Sequence, residues 1–366
     1  MKLAIVSPFS TRAAHGFRIF NIAKQLKPAK VIFQKRDRYG ESEQQYENQE
    51  LLWWKKSPWL LKAHAHQIAW KVRDCDVIYF FKPLPLNYLA AWLLKNVFGK
   101  KIIFDYDEWE PYTQREYVKG TAMGMRNSAV CEMLDWLGRA CANLSCCITT
   151  SNRRINEEIL HHKKCLLMPN GVDYAEYALD ANGKERKFEL RKEVAYAGSL
   201  HYASLLLPFL LQVPKGFKLH IWGEGKARGE IEHALKQKGI DYEFHGYVKP
   251  DELSRELKKF RGIFLAPYLP LLNIAYSSAG KMPQYMALGQ PVIVSKVEGP
   301  MDFLMGKDCA WLVEPGKERN IGKLIEGIYA DKKAAERKAR LAQRVVKENF
   351  DWRKMCAKLE KFISAC

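Results

Sequence analysis

Short apolar runs recur along the whole chain, each closed by a turn of small or polar residues and followed by a stretch with helical spacing. Residues 3–7, 31–34, 76–81, 101–104, 146–150 and 165–168 read as strands in the first half. Residues 194–197, 219–222, 242–244, 262–266 and 292–295 repeat the pattern in the second. A near-continuous apolar run such as 101–104 is what a parallel strand covered on both faces requires, and the helices between strands supply the crossovers. The alternation therefore restricts the chain to an α/β architecture. At 366 residues it is longer than one typical domain, and two α/β domains are expected.

The turns after the strands carry the chemistry, because ligands of open α/β sheets bind at that edge. In the second half they read Gly198-Ser199-Leu200-His201, Gly223-Glu224-Gly225, His245-Gly246-Tyr247-Val248 and Pro267-Tyr268. In the first half the opening strand leads through a polar loop to Gly16 at a helix start, which suits close backbone approach of a ligand. No G-x-G-x-x-G accompanies it, so the dinucleotide fingerprint is absent. The strand at 101–104 runs into Asp105-Tyr106-Asp107-Glu108-Trp109-Glu110, carboxylates that either serve a site or cap the next helix.

Residues 276–295, YSSAGKMPQYMALGQPVIVS, are the densest stretch. Ser277, Ser278, Ala279 and Gly280 open a helix whose apolar positions are Met282, Tyr285, Met286 and Leu288. Gly289 stops it, and Pro291 begins a buried strand. A small-residue loop feeding a helix N-terminus leaves N–H groups free for an anion, and an ordinary strand–loop–helix fits the same residues.

Composition narrows the partners. A hydrophobic fraction of 48% and a charged fraction of 27% are those of a folded soluble protein. No run is long and apolar enough for a membrane span, and the apolar run after Met1-Lys2 is too short for a signal peptide. Nine cysteines, among them adjacent Cys146-Cys147, show neither metal-ligand spacing nor a disulfide framework and read as buried thiols in a reducing cytoplasm. The net charge of +18 favours an anionic partner: a nucleic acid, an anionic bilayer or a phosphate-bearing substrate. In residues 51–73, Trp53, Trp54 and Trp59 alternate with Lys55, Lys56 and Lys62. That composition suits an interfacial segment on an anionic membrane, a core helix with a basic face, or a stacking surface for single-stranded nucleic acid. Pro58 divides it into a loop and a helix.

The run Lys281-x-x-Gln284-Tyr285-Met286-Ala287-x-Gly289-x-Pro291-Val292 resembles the donor-site signature of the family-four retaining glycosyltransferases. The order of the earlier turns, and Pro169-Asn170-Gly171-Val172-Asp173 at the end of the first half, resemble the same family. The resemblance implies a GT-B fold: two Rossmann-like domains facing a cleft, with a C-terminal helix crossing back. The expected division is an acceptor-side domain over 1–172, a nucleotide-sugar-binding domain over 173–349 and a crossover helix over 350–366, with Asp351-Trp352 at its start.

It also implies a nucleoside-diphosphate sugar as donor, no metal or other cofactor, and retention through attack on the face from which the diphosphate leaves. The implied donor-site residues are Gly16, Gly198, Ser199, His201, Gly223, Tyr247, Val248, Ser277, Ser278, Ala279, Gly280 and Gln284, with Tyr247 and Val248 near the nucleobase. Asp107 matches the acid of a His-Asp-type motif, with Tyr106 where a histidine is frequent. Two glutamates of the family pattern are replaced by Tyr276 and Gln284, and the Arg…Lys pair expected after Gly198 is missing. Gln284 can still pair with ribose hydroxyls, and Lys281 is the first candidate substitute for the missing cations, with His201 second. Asp107, Lys281 and Tyr276 are thus the candidate catalytic residues.

The acceptor expected from charge and the tryptophan–lysine segment is a lipid-linked or other anionic glycan precursor at the cytoplasmic membrane face, with no nucleic acid. Two other classes remain open on the residues alone. One is a non-catalytic scaffold with this fold, and the other is a basic nucleic-acid-binding protein.

Overall fold

The computed structural model describes residues 1–8, 16–35, 49–53, 61–118, 124–180 and 182–366. Two compact units divide them. The first comprises Met1–Asn170, Tyr276–Ser278 and Trp352–Cys366, and the second Gly171–Ala275 and Ala279–Asp351. The three residues that head the densest motif therefore pack with the first unit, not with the helix that follows them.

The first unit is a parallel sheet of β1 (Leu3–Ser7), β2 (Lys30–Lys35), β3 (Gln49–Trp53), β4 (Val77–Phe81), β5 (Lys101–Tyr106), β6 (Cys147–Thr150) and β7 (Cys165–Leu167). Their order is β3-β2-β1-β4-β5-β6-β7. It reverses between β1 and β4, the kind of switch point that opens a crevice at the strands' C-terminal ends. β1 and β4 are buried along their whole length, as helix-covered parallel strands must be. Helices α1 (Gly16–Leu26), α2 (Leu61–Val72), α3 (Pro85–Asn96), α4 (Glu110–Val118) and α5 (Gly124–Leu144) connect them. Pro85 opens α3, where its missing N–H costs nothing. Asn87 then donates from its amide to the carbonyls of Phe81 (2.8 Å) and Lys82 (3.0 Å), closing the tight β4–α3 turn.

Residues 51–53 correct one expectation. They are not part of a loop before Pro58 but of the edge strand β3, with Leu51 in register with Phe33 and Trp53 with Lys35. Trp54, Lys55, Lys56 and Trp59 lie outside the described residues. Lys62 is exposed on α2.

The second unit is also a parallel sheet, of β8 (Glu193–Ala197), β9 (Lys218–Trp222), β10 (Asp241–Gly246), β11 (Ile263–Ala266), β12 (Val292–Ser295) and β13 (Trp311–Val313). Its order is β10-β9-β8-β11-β12-β13, reversing between β8 and β11. The helices of this unit are α6 (Tyr174–Ala178), α7 (Ala203–Leu210), α8 (Arg228–Lys238), α9 (Pro250–Leu257), α10 (Leu272–Ala275), α11 (Lys281–Ala287), α12 (Ile321–Ala330) and α13 (Lys332–Asn349). The last helix starts at Trp352, where the sequence places it. The helical tail breaks at Phe350-Asp351, and α14 (Trp352–Ser364) packs on α1 in the first unit. Trp352, Met355, Cys356, Leu359 and Ile363 form its buried face at helical spacing.

Candidate functional site

In the second unit β8, β9 and β10 end at one edge, and backbone hydrogen bonds fasten their turns together. Gly198 N–H donates to Trp222 O (2.9 Å), Gly223 N–H to Gly246 O (2.8 Å) and Leu200 N–H to Glu224 O (3.0 Å). Gly223 has φ +135°, and a Cβ there would lie 1.9 Å from the Gly198 carbonyl oxygen, so only glycine allows the approach. Ser199 Oγ and His201 Nδ1 are 2.7 Å apart on the Gly198 turn. Tyr247 is largely exposed at the end of β10, and Val248 is half-buried. Just below these turns, His220 Nδ1 and His245 Nε2 are in hydrogen-bond contact at 2.9 Å, and Trp222 stacks on His245 with ring centroids 4.2 Å apart. Burial pushes both imidazoles below their ordinary pKa.

Lys281, the first residue of α11, reaches this edge. Its ammonium donates to Tyr196 Oη (3.3 Å) and lies 4.6 Å from the Tyr196 ring centroid and 5.5 Å from that of Tyr268. A Cβ built on Gly198 would be 3.0 Å from Lys281 Nζ. The lysine nominated for the missing cations therefore stands beside the turn from which they are missing. The Tyr285 hydroxyl bonds both N–H and C=O of Ala197 at 2.8 Å, tying α11 to the end of β8. Gly289 (φ +67°) ends α11 as the sequence indicates, and Gln343 donates to the Ala287 carbonyl at 3.0 Å. Gln284 is half-buried on α11, Ala279 is buried and Gly280 is exposed.

In the first unit the acids after β5 are largely paired. Buried Asp105 takes a bidentate pair from Arg18, with both N···O distances 2.8 Å, and a hydrogen bond from Thr149 (2.7 Å). Lys82, buried at the end of β4 with φ +67°, pairs with Asp107 (3.3 Å), Glu108 (2.5 Å) and Glu110. Burial raises the Glu110 carboxyl pKa, outweighing the opposing pull of Lys82. Tyr106 turns into the helix layer: its hydroxyl donates to Gly138 O at 2.7 Å and its ring stacks on Trp109.

Tyr276 donates to Glu158, and its ring packs edge-on to Tyr112 at 4.9 Å. Ser277 O accepts from Asn152 (3.2 Å). Ser278 accepts through Oγ from the Asn170 N–H (2.7 Å) and through its carbonyl from the Asn170 amide (2.8 Å). Gly16 opens α1, and the loop before it lies outside the described residues.

Sequence reasoning missed Lys82 and Tyr196, and it found Tyr268 only as part of a strand-end turn. Nothing local in the sequence shows that Lys82 contacts three acids more than twenty residues away. The Tyr268 hydroxyl is buried without a hydrogen-bond partner among the described residues, and its ring lies against the same lysine that Tyr196 holds. No helix among the described residues is long and apolar enough to cross a membrane.

Two doubly wound parallel sheets in one chain define a GT-B protein. The solved structure of Anabaena HepE in complex with UDP and glucose has that fold over 100% of both chains, with a TM-score of 0.74 at 13% identity. Residues 191–331, most of the second unit, match the family described as Glycosyl transferases group 1. Among curated relatives, an uncharacterized glycosyltransferase of Methanocaldococcus jannaschii is 24% identical over 57% of this chain and 57% of its own length. A glycogen synthase of Mycobacterium tuberculosis is 25% identical over 64% of this chain and 56% of its own length. The chain thus spans little more than half the length of the curated relatives it matches.

Proposed function

We propose that this protein is a retaining glycosyltransferase that takes a nucleoside-diphosphate sugar and passes the sugar to a lipid-linked or other glycan acceptor. The observation that carries the reading is the Lys281 ammonium held beside the Gly198 turn, at the sheet edge where an α/β unit receives phosphate. A diphosphate leaving group needs fixed positive charge aimed at it. Lys281 supplies it, with the backbone N–H groups and side chains of Gly198, Ser199, His201, Gly223, Ala279 and Gly280 around it.

In this reading Tyr247 and Val248 flank the nucleobase and Gln284 holds the ribose. Asp107, Tyr276, Ser277, Ser278 and Gly16 serve the sugar and the acceptor in the same reading. The leaving phosphate takes the acceptor proton, so no metal is needed. UDP in the Anabaena structure makes a uridine nucleotide the first to try.

An anionic membrane face is the favoured place of action. Trp70 on α2, Trp92 on α3 and Trp136 on α5 are 61%, 47% and 60% exposed, on helices that pack side by side, in a chain of net charge +18. A second reading, a nucleotide-binding scaffold without transfer, draws on Tyr276, whose hydroxyl is already held by Glu158.

Thermal unfolding against UDP, GDP, ADP, TDP and CMP tests the pocket. A ligand at about 100 times its dissociation constant adds roughly 2.7 kcal/mol, and one nucleotide is expected to raise the midpoint. Lys281→Ala is expected to weaken that nucleotide about tenfold or more, as loss of a charged hydrogen bond does. An unchanged affinity removes Lys281 from the site. Nucleotide binding without sugar transfer to any acceptor supports the scaffold.

A further inference from the structure

All nine cysteines are free thiols, and their spacing in the sequence gives no metal pattern. The fold nevertheless gathers three of them in the first unit. Cys146 directly precedes β6, Cys147 opens it and Cys366 follows α14, and their sulfur atoms all lie within 4.8 Å of one another. Cys147 is buried, while Cys146 and Cys366 are half-buried and open to an entering ion. Cys146 N–H is itself fixed to Ile102 O at 2.9 Å, so the backbone carrying the pair is part of the sheet. The cluster lies at the N-terminal ends of the strands, the opposite sheet edge from Asp107 and Lys82.

Thiolates bind a metal at about 2.3 Å, which puts tetrahedral ligand sulfurs a little under 4 Å apart. Small side-chain shifts bring three sulfurs within 4.8 Å to that spacing. The thiolate is the form that coordinates metal.

We propose that Cys146, Cys147 and Cys366 form a binding site for a soft, thiophilic metal ion that ties the end of α14 to the base of β6. Three thiolates without imidazole or carboxylate select ions such as zinc, cadmium or cuprous copper over magnesium or calcium. Binding forms three metal–sulfur bonds and displaces the remaining thiol protons to solvent, with no change of oxidation state. By mass action the bound ion stabilises the first unit.

The test is titration of the fully reduced, full-length chain with Cd²⁺, followed by the ultraviolet sulfur-to-cadmium charge-transfer band, which histidine and carboxylate sites do not give. One equivalent per chain is expected to saturate the band and to raise the unfolding midpoint. Cys366→Ser, a half-buried position at the end of a helix, is expected to weaken Cd²⁺ at least tenfold without harming the fold. Cys309→Ser, in the second unit, is expected to bind as the parent does. Absence of the band at one equivalent, or an equal band in Cys366→Ser, overturns the proposal. So does a reduced protein that takes up no Cd²⁺ while air oxidation closes a disulfide within the trio.

Discussion

At the residue scale, environment decides what each ionisable group does, and the sequence exposes only part of that. Lys281 was legible because it sits in a recognisable frame. Asp107 was legible as an acid but not as one of three carboxylates around Lys82. A strand end and a turn from another strand had to be brought together first. His220 and His245 show the same limit and give a pH prediction. Burial lowers both pKa values in the fold, opposed by Glu193, Glu243 and Glu256, while the neighbouring Lys218 lowers them further. The unfolded chain, with histidines titrating near 6.5, then binds more protons than the folded one in mildly acid solution. Stability is full above about pH 6.5 and is lost as pH falls through that value toward the lowered folded pKa. The unfolding midpoint is expected to drop between about pH 7 and pH 5, and His220→Phe, which keeps a ring against Trp222, is expected to flatten that drop. An unaltered slope in the variant would assign the acid sensitivity elsewhere.

At the element scale the strand–turn–helix alternation was readable because buried parallel strands are short and apolar and their turns are small. β3 and β13 escaped for opposite reasons. β3 lies in a tryptophan–lysine stretch whose composition resembles a surface helix, and its strand character comes from pairing with β2. β13 has only three residues, too few for any periodicity. The glycine turns were found by sequence, but which glycine is indispensable was not. Gly223 combines a positive φ with a carbonyl 1.9 Å from any added Cβ. Gly223→Ala is expected to cost about 2 kcal/mol or more from left-handed strain and displacement of the Gly198 turn. It should also abolish the nucleotide-dependent rise in the unfolding midpoint. Gly229 in α8, whose Cβ would meet nothing within 4 Å, is the control: Gly229→Ala should leave the nucleotide response intact and add up to about 1 kcal/mol of helix stability.

At the scale of the whole molecule, charge and exposed tryptophans point the same way. Vesicles with anionic headgroups are expected to retain the protein at low salt and release it as salt screens the surface. Neutral vesicles should bind it weakly, and replacing Trp70, Trp92 and Trp136 together with serine should weaken the anionic interaction about tenfold or more. Sedimentation with vesicles reads all three, and equal binding to neutral and anionic lipid would dismiss the electrostatic part. The return of α14 to the first unit has a further consequence, for synthesis. The second unit is complete once Asp351 has been made, but the first still lacks the helix that covers α1. A ribosome adding about 5–20 residues per second spends on the order of ten seconds or more between Asn170 and Trp352. Throughout that interval Arg18 has no Trp352 ring beside it, and the face of α1 that α14 covers is bare. The half of the protein that emerges first is the half that matures last.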